Sequence, residues 1–101
     1  MSDIAPVVDN EADSRFELEV DGQFAELVYR RSGHRFVIVH TGVPDALEGR
    51  GIGGRLVTAA VDVAAEQGLT VVPVCPFARG WLERHPDVAG RAAIDWSRGS
   101  D

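Results

Sequence analysis

Four of the six residues from Gly49 to Gly54 are glycine, the exceptions being Arg50 and Ile52. They stand between an apolar stretch that reads as a strand and one that reads as a helix. Without side chains, the peptide N–H groups are open to an anion, and the positive end of the following helix adds to the attraction. The chemistry this favours is phosphate binding, although the same glycines would also permit tight packing of strand against helix. Two side chains are candidates for covalent or proton chemistry. Cys75 lies between a strand-like and a helix-like stretch, where a helix N-terminus can hold a thiol below its usual pKa of about 8.5. A free cysteine also commonly serves as a small buried apolar group. His40 is of the residue type best suited to serve as a general base or acid. It equally continues the face of Phe36 and Ile38, as a satisfied core histidine would. His34, in a turn, and His85, before a proline, read as structural. A single cysteine excludes an internal disulfide and a cysteine-based zinc site, and the three histidines lack metal-ligand spacing, so no metal is expected.

The elements that must position these groups follow from periodicity. From Arg15 to Val20, Phe16, Leu18 and Val20 alternate with charged residues, the pattern of a strand with one wet face. Asp21-Gly22 is a hairpin turn, and Gln23 to Arg30 supplies a second strand. After Ser32-Gly33, the stretch from Arg35 to Thr41 is apolar on both faces, with Phe36 and Ile38 on one and Val37 and Val39 on the other. Such a strand belongs inside a sheet. From Gly53 to Gln67 the period becomes helical, with Arg55, Thr58, Asp62 and Glu66 on one side, and Gly68 ends it. Leu69 to Val74 reads as a fourth strand, interrupted by Pro73. A short helix from about Phe77 to Arg84 closes at His85-Pro86. The predicted fold is α+β, a mainly antiparallel sheet packed on one long and one short helix, over residues 15–92. Residues 1–14, acidic and poor in large apolar groups, and residues 93–101 read as flexible tails.

The chain has 101 residues, enough for one domain. Its net charge of −6 argues against a nucleic-acid binder, which usually shows a basic face. An acidic surface is compatible with a cationic substrate such as an amine, and it also serves solubility. No apolar run approaches the roughly 20 residues that span a bilayer, and residues Met1 to Ile4 lack the start of a signal peptide. A cytoplasmic location is the default expectation.

Gly49-x-Gly51-x-x-Gly54 formally matches the dinucleotide-binding fingerprint. That motif needs a parallel βαβ unit and an acidic residue after the second strand, whereas here antiparallel hairpins precede the loop and the strand ends in Val74-Cys75-Pro76. A Walker loop is excluded because no Gly-Lys-Ser/Thr is present. Glu48-Gly49-Arg50-Gly51-Ile52-Gly53 instead resembles the pyrophosphate-binding motif Gln/Arg-x-x-Gly-x-Gly/Ala of the GNAT superfamily of N-acetyltransferases. Together with His40-Thr41, Val43-Pro44, the run from Val72 to Arg79 and His85-Pro86-Asp87, it is similar to the compact, single-domain GNAT-like branch. The resemblance spans roughly Phe16 to Val88. Glu48 departs from the motif, a change that binding through main-chain N–H groups should tolerate.

The resemblance implies acetyl-CoA as cofactor and an amine as acceptor. It places the diphosphate on Gly49, Gly51, Ile52, Gly53 and Gly54. Arg50 and Arg55 flank the loop, where each reads either as a neutralising charge for the phosphates or as a solvated surface charge. The pantetheine arm is implied to lie along Val39, Thr41 and Val43, where the sheet opens. Pro73, which cannot donate to a ladder, marks either that opening or a sheet edge. Cys75 is implied as a candidate acyl carrier, so acetyl transfer is expected either directly or through acetyl-Cys75. A CoA-binding module with little turnover, acting through a partner protein, is the alternative. Phe77 and Trp81, one helical turn apart, read as core packing.

Overall fold

Alternating apolar and charged residues build the first half of the molecule, in a computed structural model that describes residues 6–98. Strand β2 (Arg15–Val20) and strand β3 (Gln23–Ser32) form an antiparallel hairpin. Asp21 and Gly22 both take positive φ, 52° and 79°, the geometry whose twist matches the flanking strands. Phe16, Leu18, Ala25, Leu27 and Tyr29 point inward and are buried. Strand β4 (Arg35–Gly42) pairs antiparallel with β3.

The second half is wound differently. Helix α1 (Ile52–Gln67) crosses to strand β5 (Thr70–Pro73), which joins β4 in parallel. Helix α2 (Pro76–Arg84) and the single turn α3 (Pro86–Ala89) then lead to strand β6 (Ala93–Ile94), parallel to β5. With strand β1 (Val8–Asn10) antiparallel to β2, the six strands lie in sequence order. Leu56, Val57, Ala60, Val61 and Ala64 of α1, with Ala78 and Leu82 of α2, pack with the inward side chains of the sheet into one core.

Four expectations need correction. Val8–Asn10 is a strand and residues 11–13 form a 3-10 turn, where a flexible tail was expected. Tyr29 explains this ordering. Its hydroxyl donates to Asp9 Oδ1 at 2.6 Å, and its ring stacks on Phe36 with centroids 4.6 Å apart. Burial, then the bond to Asp9, pushes the phenol up to about 12. The far end is also ordered, as β6 and a 3-10 turn over Trp96–Arg98; residues 1–5 and 99–101 of the expected tails lie outside the described residues. The glycine loop does lie in a parallel βαβ unit, β4–α1–β5, so the antiparallel strands before it and the missing acidic residue after β5 are what separate it from a dinucleotide fold. Finally, Val39 is 38% exposed, because β4 is bulged there.

That bulge decides the site. Tyr29 faces Ile38 and Val28 faces His40, leaving Val39 as the extra residue. Every side chain beyond it changes face relative to simple alternation. Thr41, opposite Leu27, points to the core side, and His40, opposite Val28, points to the other.

Candidate functional site

The opening of the sheet begins where β4 outruns its neighbour. The β4–β5 register ends at Ile38 opposite Pro73, while β4 continues to Gly42 paired only with β3. Pro73 has no N–H with which to continue the ladder. The chain then turns, with Cys75 N–H donating to the Ile38 carbonyl at 3.0 Å. Cys75 is thereby placed at the N-cap of α2, beside the β4 segment left without a parallel partner. Its Sγ lies 3.5 Å from Thr41 Oγ1, to which the thiol donates, and the residue is 4% exposed.

A cavity of about 540 Å³ fills the gap between the two halves. Thr41, Gly42 and Val43 line it from β4 and its exit. Leu47, Glu48, Gly49 and Gly51 contribute from the loop, Ile52 and Gly53 from α1, and Phe77 and Trp81 from α2. Gly51 is the N-cap of α1 in the left-handed conformation, φ 76°, and Gly49 has φ 85°. The first bond of the helix runs from Arg55 N–H to the Gly51 carbonyl at 3.1 Å. The N–H groups of Ile52, Gly53 and Gly54 therefore belong to the first turn, which has no intrahelical acceptors. Among the described residues no side chain caps this end, and its first turn carries no acidic residue.

The four glycines divide into two pairs. A Cβ on Gly49 or Gly51 would meet nothing within 4 Å, and there the requirement is the positive φ. A Cβ on Gly53 would lie 2.6 Å from the Phe77 ring, and one on Gly54 2.5 Å from Trp81 Nε1. These two glycines let α2 seat its aromatic rings against the first turn of α1.

The remaining expected site residues are dispersed. His40 is exposed on the opposite face of the sheet from Thr41. A Cβ on Gly42 would lie 3.2 Å from its Nε2 and 3.7 Å from Glu26 Cγ, so His40 sits beside Glu26 and outside the cavity wall. Val39 is outside it as well. Arg50 pairs with Asp21 in the first hairpin turn at 3.4 Å, and Arg55, half-buried on α1, does not line the cavity. Sequence reasoning missed Gly42, Leu47 and Glu48 as wall residues and took Phe77 and Trp81 for core. Phe77 is 42% exposed and lines the cavity, as does the half-buried Trp81. Their spacing of one helical turn gave no signal, because a core face and a cavity wall share it. Among the described residues no group of His, Cys, Asp or Glu is placed to hold a metal ion, and no helix is long and apolar enough to cross a membrane.

A mainly antiparallel sheet that opens beyond a bulged strand, with a glycine turn leading into the long helix, defines an N-acetyltransferase type of fold. Residues 15–90 match the family model of the GCN5-related N-acetyltransferases, and the chain belongs to that family. It is 38% identical to Protein NATD1 of Homo sapiens and of Mus musculus over 63 residues, which is 61% of this chain. The matched stretch spans only 56% of the human relative and 57% of the mouse one. The NMR solution structure of a GCN5-like protein from Staphylococcus aureus is similar throughout, with a TM-score of 0.71, 28% identity and 95% of each chain covered.

Proposed function

We propose that this chain binds acetyl-CoA in the cavity between the glycine loop and α2 and transfers its acetyl group to an amine. The observation that carries the reading is the uncapped first turn of α1, which opens into the same cavity that Thr41 lines at the split in the sheet. The residues fit such a ligand. The main-chain N–H groups of Ile52, Gly53 and Gly54 would hold the diphosphate, with the helix dipole adding attraction. Val43, Ile52 and Phe77 give the pantetheine arm an apolar wall. When bound, acetyl-CoA supplies an acetyl group activated as a thioester.

The chain's own contribution at the split is polar positioning. Beyond Ile38 the β5-side backbone groups of β4 are released from the ladder and available as hydrogen-bond partners. The Thr41 hydroxyl accepts from Cys75, which leaves its own proton to donate toward the cavity. The burial of Cys75 and its bond to Thr41 favour direct transfer over an acetyl-Cys75 route. His40 lies across the sheet, exposed beside Glu26 and outside the cavity, and takes no part in this reading.

Intact-mass measurement after incubation with acetyl-CoA, followed by thiol release with a panel of amines, tests the reading. Amine-dependent CoA release without protein acetylation at Cys75 is expected, and a Cys75→Ala protein should retain turnover. A stable 42 Da adduct that disappears when amine is added would establish the acyl-enzyme route. Binding of CoA with no release for any amine would leave the binding-module alternative.

A further inference from the structure

Among the described residues, Trp81 is the one cavity-wall side chain that combines a fixed ring with an N–H donor. Its indole stacks on His85, with ring centroids 3.8 Å apart and planes within 11° of each other. His85 is in turn held by its Nδ1, 2.7 Å from the Trp81 carbonyl oxygen, so stack and hydrogen bond close one helical turn of α2 on itself. The tautomer that donates from Nδ1 satisfies that contact. The edge carrying Nε1 lies against the first turn of α1, 2.5 Å from where a Cβ on Gly54 would stand. Among the described residues, Nε1–H has no hydrogen-bond acceptor. Indole N–H groups usually find a partner when half-buried, and this one sits next to amides that are themselves without acceptors.

We propose that the Trp81 indole N–H is a further phosphate donor, binding the cofactor's diphosphate alongside the N–H groups of the α1 first turn, and that His85 is the residue that positions it. The inference rests on the acetyl-CoA reading above. It makes the diphosphate site part main chain and part side chain, which accounts for a tryptophan where a phenylalanine would fill similar space. It also gives Gly54 a double role, since any side chain there would push the donor away.

The test is a 1H–15N titration of the full chain with CoA and with inorganic pyrophosphate, following both tryptophan indole signals and the loop amides. With CoA and with pyrophosphate, the Trp81 indole signal should move together with the amides of Ile52, Gly53 and Gly54, while that of Trp96 stays. Loop amides that move under a still Trp81 signal would overturn the inference and leave the site intact. Silence of amides and indole alike would overturn the site reading itself. Calorimetry provides the second arm. In Trp81→Phe, the ratio of CoA to pantetheine affinity should fall about tenfold, the loss typical of a charge-assisted hydrogen bond. His85→Ala should lower the same ratio by a smaller factor, and His85→Phe, which restores the stack, should recover part of it. An unchanged ratio in Trp81→Phe, with the fold intact by circular dichroism, would refute the proposal.

Discussion

Gly49 and Gly51 differ from Gly53 and Gly54 in what glycine is there to do, although the four sit in one six-residue run. The first pair bends the backbone through positive φ in open space. The second pair has ordinary helical geometry and is bare because aromatic rings from α2 press on it. A glycine-rich motif is thus two devices in series, one shaping the turn and one admitting a wall. Only the combination places first-turn amides at the edge of a cavity.

Substitutions separate the two devices. Gly54→Ala should have the largest effect. Overpacking against Trp81 costs roughly 1–3 kcal/mol, against which alanine's helix preference returns about 1 kcal/mol. A lowered urea midpoint is the readout, and Trp81→Ala in the same chain should remove most of the penalty. Gly53→Ala should be milder, because the exposed Phe77 ring is free to swing aside. A Gly54→Ala protein more stable than the parent would dissolve the distinction.

Gly51→Ala comes next. It should cost about 1 kcal/mol through left-handed strain alone, with no rescue from Trp81→Ala. Gly51→Asn should cost less, since asparagine tolerates that conformation. A smaller effect is expected for Glu48→Gln. A carboxylate on the cavity wall opposes a polyanion, so its removal should tighten CoA binding by roughly twofold to fivefold at low salt and by less at high salt. Unchanged or weaker binding would place the diphosphate away from Glu48.

The last prediction is a control on the sheet, far from the loop. Tyr29 is the only tyrosine, so phenolate absorbance reports it alone. Its folded pKa is raised to about 12, so its contribution to stability is complete below the unfolded value near 10. That contribution is lost as pH rises from about 10 to about 12. Titration near 10 in the folded protein would mean that Tyr29 is neither buried nor bonded to Asp9.

Much of the fold was legible. The period-two run from Phe16 to Val20, the Asp21-Gly22 turn with the strand that follows it from Gln23, and the helical run ended by Gly68 all became the expected elements. The ends were misread because composition registers the acidic residues near β1 but not the distant Tyr29 that anchors Asp9. Residue 94 was similarly invisible, since a two-residue strand leaves no period. His40 was assigned to the Phe36 and Ile38 face because alternation counts every residue, and a bulge at Val39 adds one without any local marker. The candidate site was legible as a glycine loop and as Cys75 beyond the fourth strand. Its aromatic wall was not, because core and cavity wall share the same spacing and only the fold shows which side is open.

The central claim is that the first-turn amides of α1 hold the diphosphate of coenzyme A, and thermal denaturation tests it most directly. CoA or acetyl-CoA at 100 times its dissociation constant should add about 2.7 kcal/mol, raising the midpoint of a domain this size by about ten degrees or more. NAD and ATP at equal concentration should leave it where it was. A midpoint indifferent to both CoA species, or raised equally by NAD, would contradict the account.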